Sequence, residues 1–298
     1  MEIKSIKDIP SENWVTGGHA LCAGCGSGLG LRLTLLALGQ KTIIINTAGC
    51  LTLQTTYPYT PFKTPWLFLA IENAGAAATG IYHALKVLKK EKDVNIVAYA
   101  GDGALYDIGL QSMSNTLERG DNVFFIVYNN QNFANTGVQM SSATPEFAWT
   151  TTTPLGNPFM RKPICKIVAA HGIPYVATAT VGFPLDYINK LRKAKEMKGP
   201  KFIDLLCPCV PGWGFNSNET IKISKLAVET GAWPLYEIVN GKFNLTYKPE
   251  KLKPVKEYLK LQRRFKHLKQ KEIDQIQKII NEEWNKLTKG EYWESKEY

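Results

Sequence analysis

Apolar positions in this chain recur with two different periods. Short runs rich in β-branched and aromatic residues occupy residues 42–46, 94–100, 122–128, 174–179 and 202–206. Their length and their flanking turn residues predict buried strands. Between them, residues 28–38, 74–90, 107–118 and 185–197 repeat apolar positions at helical spacing. Strands alternating with helices predict an α/β fold, a mostly parallel sheet with helices on both faces. Ligands of such sheets gather at the carboxyl ends of the strands. Residues 140–162 are rich in Thr, Pro and aromatic residues and have no period, which predicts a long, functional loop. From residue 248 the composition shifts to Lys, Glu and Gln. Leu252, Val255, Tyr258 and Leu259 fall at helical spacing there, as do Ile273, Ile276, Ile280, Trp284 and Leu287. This predicts a main domain over 1–247 and a helical C-terminal extension over 248–298.

Composition adds limits rather than chemistry. With 298 residues, 44% of them hydrophobic, the chain can bury a sizeable core. No apolar run is long enough to cross a bilayer. The opening Met1-Glu2-Ile3-Lys4 has no apolar signal core, so a cytoplasmic protein is expected. In a reducing compartment, six cysteines in a chain of this length point to metal or redox chemistry rather than a disulfide scaffold. The formal net charge is +10, and residues 248–271 hold ten Lys or Arg against two Glu. No nucleic-acid motif accompanies that charge. An anionic cofactor, an acidic electron carrier, an acidic subunit or a plain solvated helix face would each account for it.

Two groups of residues carry candidate chemistry. The first is Gly101-Asp102-Gly103 at the end of one predicted strand, with Asn129-Asn130 at the end of the next. Glycine lets backbone approach a phosphate. Asp102 is a hard oxygen donor suited to Mg²⁺, which takes one or two carboxylates and completes its shell with phosphate oxygens. Neighbouring strand ends would bring the Asn130 amide oxygen and the Asn132 carbonyl to the same cation. Asp107 reads as a helix N-cap rather than a ligand. The spacing resembles the thiamine diphosphate motif. Asn135, in Asn135-Thr136-Gly137, is either a turn residue or a neighbour of the reactive ring. That cofactor needs an activating glutamate. Glu72 lies in the same sheet domain and reads as structural or as a neighbour of the cysteines, so the glutamate is expected from another subunit.

The second group is Cys22 and Cys25 in a glycine-rich turn, Cys50 after a strand, and Cys207 or Cys209 after another. Four thiolates of this kind suit Zn²⁺ or a [4Fe–4S] cluster. One close pair with scattered partners favours the cluster. Spacing alone does not choose between Cys207 and Cys209. Cys165 reads as a small buried hydrophobe. His19 reads as structural or as a donor to a cluster sulfur or a phosphate, and His83 and His171 carry no assigned chemistry.

Taken together, the chain resembles the β subunit of 2-oxoacid:ferredoxin oxidoreductases, most of all the pyruvate enzymes. The resemblance rests on the stretches 18–26, 101–103, 129–130, 135–137, 169–177, 208–213 and 258–268. It implies a thiamine diphosphate-binding fold, with Mg²⁺ on Asp102, Asn130 and the Asn132 carbonyl beside Gly101 and Gly103. It implies Cys22, Cys25, Cys50 and Cys209 as ligands of a [4Fe–4S] cluster, the Pro208-Cys209 pair deciding the fourth. The implied reaction is oxidative decarboxylation of pyruvate to acetyl-coenzyme A, with electrons passed to ferredoxin. The implied partners are an α subunit supplying the glutamate, and γ and ferredoxin-like δ subunits or fused equivalents. No nucleic-acid or membrane partner is expected. Two other readings are a cluster-free thiamine-dependent carboligase or decarboxylase subunit and a zinc-binding scaffold.

Overall fold

A computed structural model of the chain describes residues 3–55 and 60–291. The expected extension's last residues, 292–298, lie outside the described residues. In chain order the elements are α1 (Gly26–Leu38), β1 (Thr42–Thr47), β2 (Trp66–Leu69), α2 (Ala74–Val87) and β3 (Asn95–Gly101). Then come α3 (Leu110–Glu118), β4 (Phe124–Asn129), α4 (Ile164–Ala169), β5 (Tyr175–Thr180), α5 (Pro184–Lys195) and β6 (Lys201–Leu206). The last are α6 (Val210–Trp213), α7 (Thr220–Glu229), β7 (Tyr236–Val239), β8 (Lys242–Leu245), α8 (Lys256–Leu259) and α9 (Gln270–Lys289).

The strands form one eight-stranded sheet in the order β2-β1-β3-β4-β6-β5-β7-β8. Pairing is parallel from β2 through β5, and the β7–β8 hairpin adds antiparallel. Side chains alternate between faces with the strand period. On β3, Ile96, Ala98 and Ala100 pack with α2, α3 and α4, whereas Val97 and Tyr99 pack with α1 and α5. This two-sided burial is why the central strands read as continuous apolar runs.

The predicted α/β architecture is present, with shifts that have physical causes. The edge-proximal β2 exposes Leu67 and Phe68, and the β7–β8 hairpin has two four-residue strands, too short for a clear period. The expected helix over 107–118 is α3 preceded by a π-helical turn, Gly103–Ile108. Such turns concentrate at functional sites. Residues 248–271 are not one basic helix. They run through irregular chain, the single turn α8 and a 3₁₀ turn at Arg263–Phe265. Val255, Tyr258, Leu259, Phe265 and Ile280 share a third core with α6, α7 and Trp233. Among the described residues, no helix is long and apolar enough to cross a membrane.

Candidate functional site

Four adjacent strands end at one edge of the sheet, and each delivers one candidate segment there. β1 leads to Cys50, β3 to Asp102, β4 to Asn130 and Asn132, and β6 to Cys207 and Cys209. From neighbouring β1 and β3 the chain leaves in opposite directions, to β2 and to β4. That reversal opens a crevice outside the strands' carboxyl ends.

Asp102 is 1% exposed. Its Oδ1 accepts from the Asn130 N–H at 3.1 Å and its Oδ2 from Ser141 Oγ at 2.5 Å. Burial pushes the carboxyl up to about 7, against the opposing pull of these hydrogen bonds. Asn130 Oδ1 stands 3.1 Å from Asp102 Oδ1 and 2.6 Å from the Asn132 carbonyl, so three acceptors converge unless the amide turns over. Turning the amide over resolves the conflict by two hydrogen bonds, and a bound cation would resolve it by coordination. Asn132 Oδ1 is also buried and has no hydrogen-bond partner.

The convergence depends on Gln131, whose φ of 62° lies in the left-handed region that a long side chain rarely adopts. Its carbonyl accepts from Thr144 Oγ1 at 2.8 Å and its Oε1 from the Arg264 guanidinium at 2.7 Å. Trp213 Nε1 donates to the Asn130 carbonyl at 2.8 Å. Gly103 is required by packing here: a Cβ would lie 2.2 Å from the Phe133 ring.

The cysteine segments meet beside this loop. The Cys25 N–H donates to the Cys22 carbonyl at 3.1 Å, and the Gly26 N–H to the Pro208 carbonyl at 3.3 Å, tying the Cys22–Cys25 turn to the Pro208-Cys209 segment. Burial is the main cause that raises the Cys50 thiol, followed by Cys209, Cys25, Asp102 and Cys22. Burial pushes Cys209 up to about 12, with Cys25 and Cys22 adding to it and the Gly212 N–H opposing it. Cys22, Cys25, Cys50 and Cys209 therefore share one electrostatic neighbourhood, which reaches Asp102. Gly212 joins the two sites: a Cβ there would lie 2.8 Å from Asn132 Nδ2 and 3.1 Å from Cys209 Sγ.

Cys207 borders Cys25, which helps to raise its thiol, but its side chain turns into the core. It is 0% exposed, packs in the core beneath α1, and bonds to Ser27 and Tyr99. Cys207→Ala is therefore expected to leave cofactor content unchanged and to cost about 1 kcal/mol of stability, read by iron analysis and denaturant unfolding. Cys165 is likewise a core residue, as expected.

Other candidates stand elsewhere. Asn135 is at the exposed tip of the turn closed by the Phe133–Gln139 bridge, not in the buried group around Asp102. Asp107 is no helix cap. Its position inside the π-helical turn frees its carboxylate to accept from the Ser142 backbone at 3.1 Å, from Ser142 Oγ, and from Lys162 Nζ at 3.2 Å. It thus anchors both ends of the 140–162 loop. Glu72 is exposed at the start of α2, in a groove with Ser112, Ser114 and His171; its backbone carbonyl accepts from Ser112 Oγ at 2.6 Å. His19 is exposed, whereas His83 pairs with Asp121 at 3.1 Å and His171 with Ser114 at 3.1 Å. Sequence reasoning missed Gln131 and Ser141, which carry no mark in their local pattern, and Arg264, which lies inside the 258–268 stretch that carries the resemblance but takes no role from it.

The donor chemistry fits two groups. Three hard oxygens at Asp102, Asn130 and Asn132 suit a small divalent cation. Four soft sulfurs suit iron or zinc. Among the described residues, no three His, Cys, Asp or Glu side chains stand close enough to close on a single ion. A cluster presents separate irons to its thiolates and does not require them to meet at a point.

Comparisons with known proteins follow the same lines. The family described as "Thiamine pyrophosphate enzyme, C-terminal TPP binding domain" matches residues 47–205. The chain is 48% identical to pyruvate synthase subunit PorB of Methanocaldococcus jannaschii over 289 residues, 93% of this chain and 97% of that protein. It is 43% identical to ketoisovalerate oxidoreductase subunit VorB of Pyrococcus furiosus over 299 residues, 96% of each. Among solved structures, a 2-oxoglutarate:ferredoxin oxidoreductase from Magnetococcus marinus, with 2-oxoglutarate, coenzyme A and succinyl-CoA bound, superposes with a TM-score of 0.60. That match is 22% identical and covers 75% of this chain and 76% of the other, a likeness of fold.

Proposed function

Because the chain belongs to the β subunits of 2-oxoacid:ferredoxin oxidoreductases, we propose that it holds thiamine diphosphate and an electron-accepting [4Fe–4S] cluster, with pyruvate as the 2-oxoacid. The observation that carries this reading is the adjacency of two donor sets, the oxygens around Asp102 and the thiols around Cys50, on either side of Gly212. Pyruvate rests on the PorB relatives, and the VorB relatives make branched 2-oxoacids the competing substrates.

In this reading Asp102, Asn130 and the Asn132 carbonyl would hold Mg²⁺ for the diphosphate, and Cys22, Cys25, Cys50 and Cys209 would hold the cluster. Bound thiamine diphosphate supplies the electron sink for decarboxylation. The protein's own part is positional. Ser141 and the Asn130 N–H fix the Asp102 carboxylate, and burial keeps water from competing for the cation. Asn135, at its exposed tip, would meet the reactive ring only where a second subunit closes over it. Glu237 is buried but committed to Lys193 at 2.6 Å and Tyr175 at 3.0 Å, so it is not the activating glutamate. That residue comes from an α subunit. Exposed apolar side chains on the 140–162 loop, Leu155 (94%), Phe159 and Met160, suit such a partner. Coenzyme A would accept the acetyl group, with carbon dioxide, the thiol proton and two electrons as the other products. Electrons leave through γ and ferredoxin-like δ subunits, or fused equivalents, to ferredoxin, whose acidity suits this basic chain.

The test is the iron, sulfide and zinc content of the anaerobically purified native complex, with its electron paramagnetic resonance before and after pyruvate. Cluster iron assigned to this chain and a pyruvate-dependent signal that decays with coenzyme A are expected. Zinc in place of iron, or colourless protein that binds thiamine diphosphate alone, would overturn the cluster assignment.

A further inference from the structure

Arg264 has so far appeared only as a support of Gln131, yet it lies where the two donor sets meet. It is 3% exposed and forms no ion pair among the described residues. A buried charge without a counter-charge is costly, so a fold that keeps one has a use for it or supplies the opposite charge in another form.

Its guanidinium is fixed from several sides. It stacks 3.8 Å from the centre of the Trp213 ring. Nε donates to Gln262 Oε1 at 2.9 Å, and a terminal nitrogen donates to Gln131 Oε1 at 2.7 Å. The Arg264 carbonyl accepts from the Trp149 N–H at 2.9 Å. Trp213 belongs to the helical turn that Cys209 opens, its N–H donating to the Cys209 carbonyl at 2.8 Å, and its indole nitrogen holds the Asn130 carbonyl. The charge is thus one side chain away from a cluster thiol on one side and one side chain away from the Asp102–Asn132 loop on the other. Burial pushes the group down only to about 10, with Tyr258 opposing that most, so it stays cationic at neutral pH.

We propose that Arg264 is a positioning residue whose fixed positive charge sets the reduction potential of the cluster that Cys209 helps to hold. The proposal rests on the cluster reading above. A cluster on four thiolates becomes more negative by one unit when it takes an electron. A nearby cation in a low-dielectric setting stabilises that reduced form more than the oxidised one. Arg264 would thereby raise the potential of that cluster and favour its taking up an electron. The residue makes and breaks no bond; one electron moves, and the guanidinium keeps its protons throughout.

The experiment uses the assembled native complex with wild-type, R264Q and R264K chains, in a redox titration followed by electron paramagnetic resonance. The relevant signal is identified as the one that Cys50→Ala removes. At the wild-type midpoint, R264Q is expected to change the reduced-to-oxidised ratio by about tenfold toward oxidised. R264K keeps the charge but not the planar stack or the fork of hydrogen bonds, and its ratio is expected to stay within about threefold of wild type. An unshifted R264Q with iron intact overturns the proposal, as does an R264K shifted as far as R264Q, which would make the role purely one of packing. If R264Q fails to assemble, a tenfold shift in R264K alone overturns it. Absence of cluster iron from the wild-type complex overturns the cluster reading itself, and a potential can then be assigned to nothing.

Discussion

Asp102→Asn is expected to weaken cation-dependent binding of thiamine diphosphate by roughly 10²–10⁴-fold, since removing one partner of a buried charge pair costs about 3–5 kcal/mol. The asparagine keeps the volume and can still bond to Ser141, so the loop survives and only the charge is lost. The same change should stabilise the protein once cation and cofactor have been stripped from it. The native carboxyl titrates near 7 and the unfolded one near 3.8. A folded acid with a raised value binds more protons than the unfolded chain, so its penalty is absent below about pH 4. The penalty grows between about 4 and 7 and is complete above 7. It amounts to about 4 kcal/mol at most. Stripped Asp102→Asn should therefore exceed wild type in denaturant midpoint at pH 8, with the gain shrinking as pH falls through that window. Calorimetric titration with thiamine diphosphate and Mg²⁺ supplies the other half. Cofactor binding at wild-type strength in the variant would remove Asp102 from the site. Loss of stability at pH 8 would mean that the carboxylate holds the fold rather than a ligand.

The contrast between what this loop does and what its sequence displays explains how much was legible beforehand. Buried strands such as Phe124–Asn129 are apolar on both faces because helices cover both, and that leaves a run visible without any structure. Gly101-Asp102-Gly103 and the cysteines are rare residues in turns, which local reading detects. The partner of a motif is harder to find. Ser141, Arg264 and Trp213 reach the Asp102–Asn132 loop across 39, 133 and 83 positions of chain, and nothing near them in sequence marks that role. Gln131 could not be read either, because its left-handed backbone is imposed by Thr144 and Arg264 rather than by its own preference. Asp107 misled for a related reason. An acidic residue before a helical pattern ordinarily caps it, but here a π-helical turn has already started the helix and turned the carboxylate toward Ser142 and Lys162. Short antiparallel strands such as Lys242–Leu245 contain too few residues to display a period.

Cys209→Ala and Cys50→Ala are each expected to reduce the cluster iron of this chain from stoichiometric to near zero, with thiamine diphosphate affinity within about threefold of wild type. A cluster bound by four thiolates has no spare protein ligand. The nearby substitute for Cys209 would be Cys207, two residues away, but its sulfur is committed to the α1 core beside Ser27 and Tyr99. To reach the cluster, β6 would have to turn over at its end and expose that core. The two losses should differ in their side effects. Cys50 opens a 3₁₀ turn after β1, outside the Asp102–Asn132 loop, and its removal leaves the Asp102 hydrogen bonds to Ser141 and Asn130 in place. Cys209 faces Gly212, whose other neighbour is the Asn132 side chain, so an alanine there tests whether the two sites are mechanically separate. Iron and sulfide analysis with cofactor titration on the assembled complex, run beside Cys207→Ala, decides the matter. Retained iron in Cys209→Ala with lost iron in Cys207→Ala would exchange the fourth ligand. Loss of thiamine diphosphate binding along with iron, in a variant that still assembles, would mean that Gly212 couples the two donor sets into a single folding unit and that neither site forms without the other.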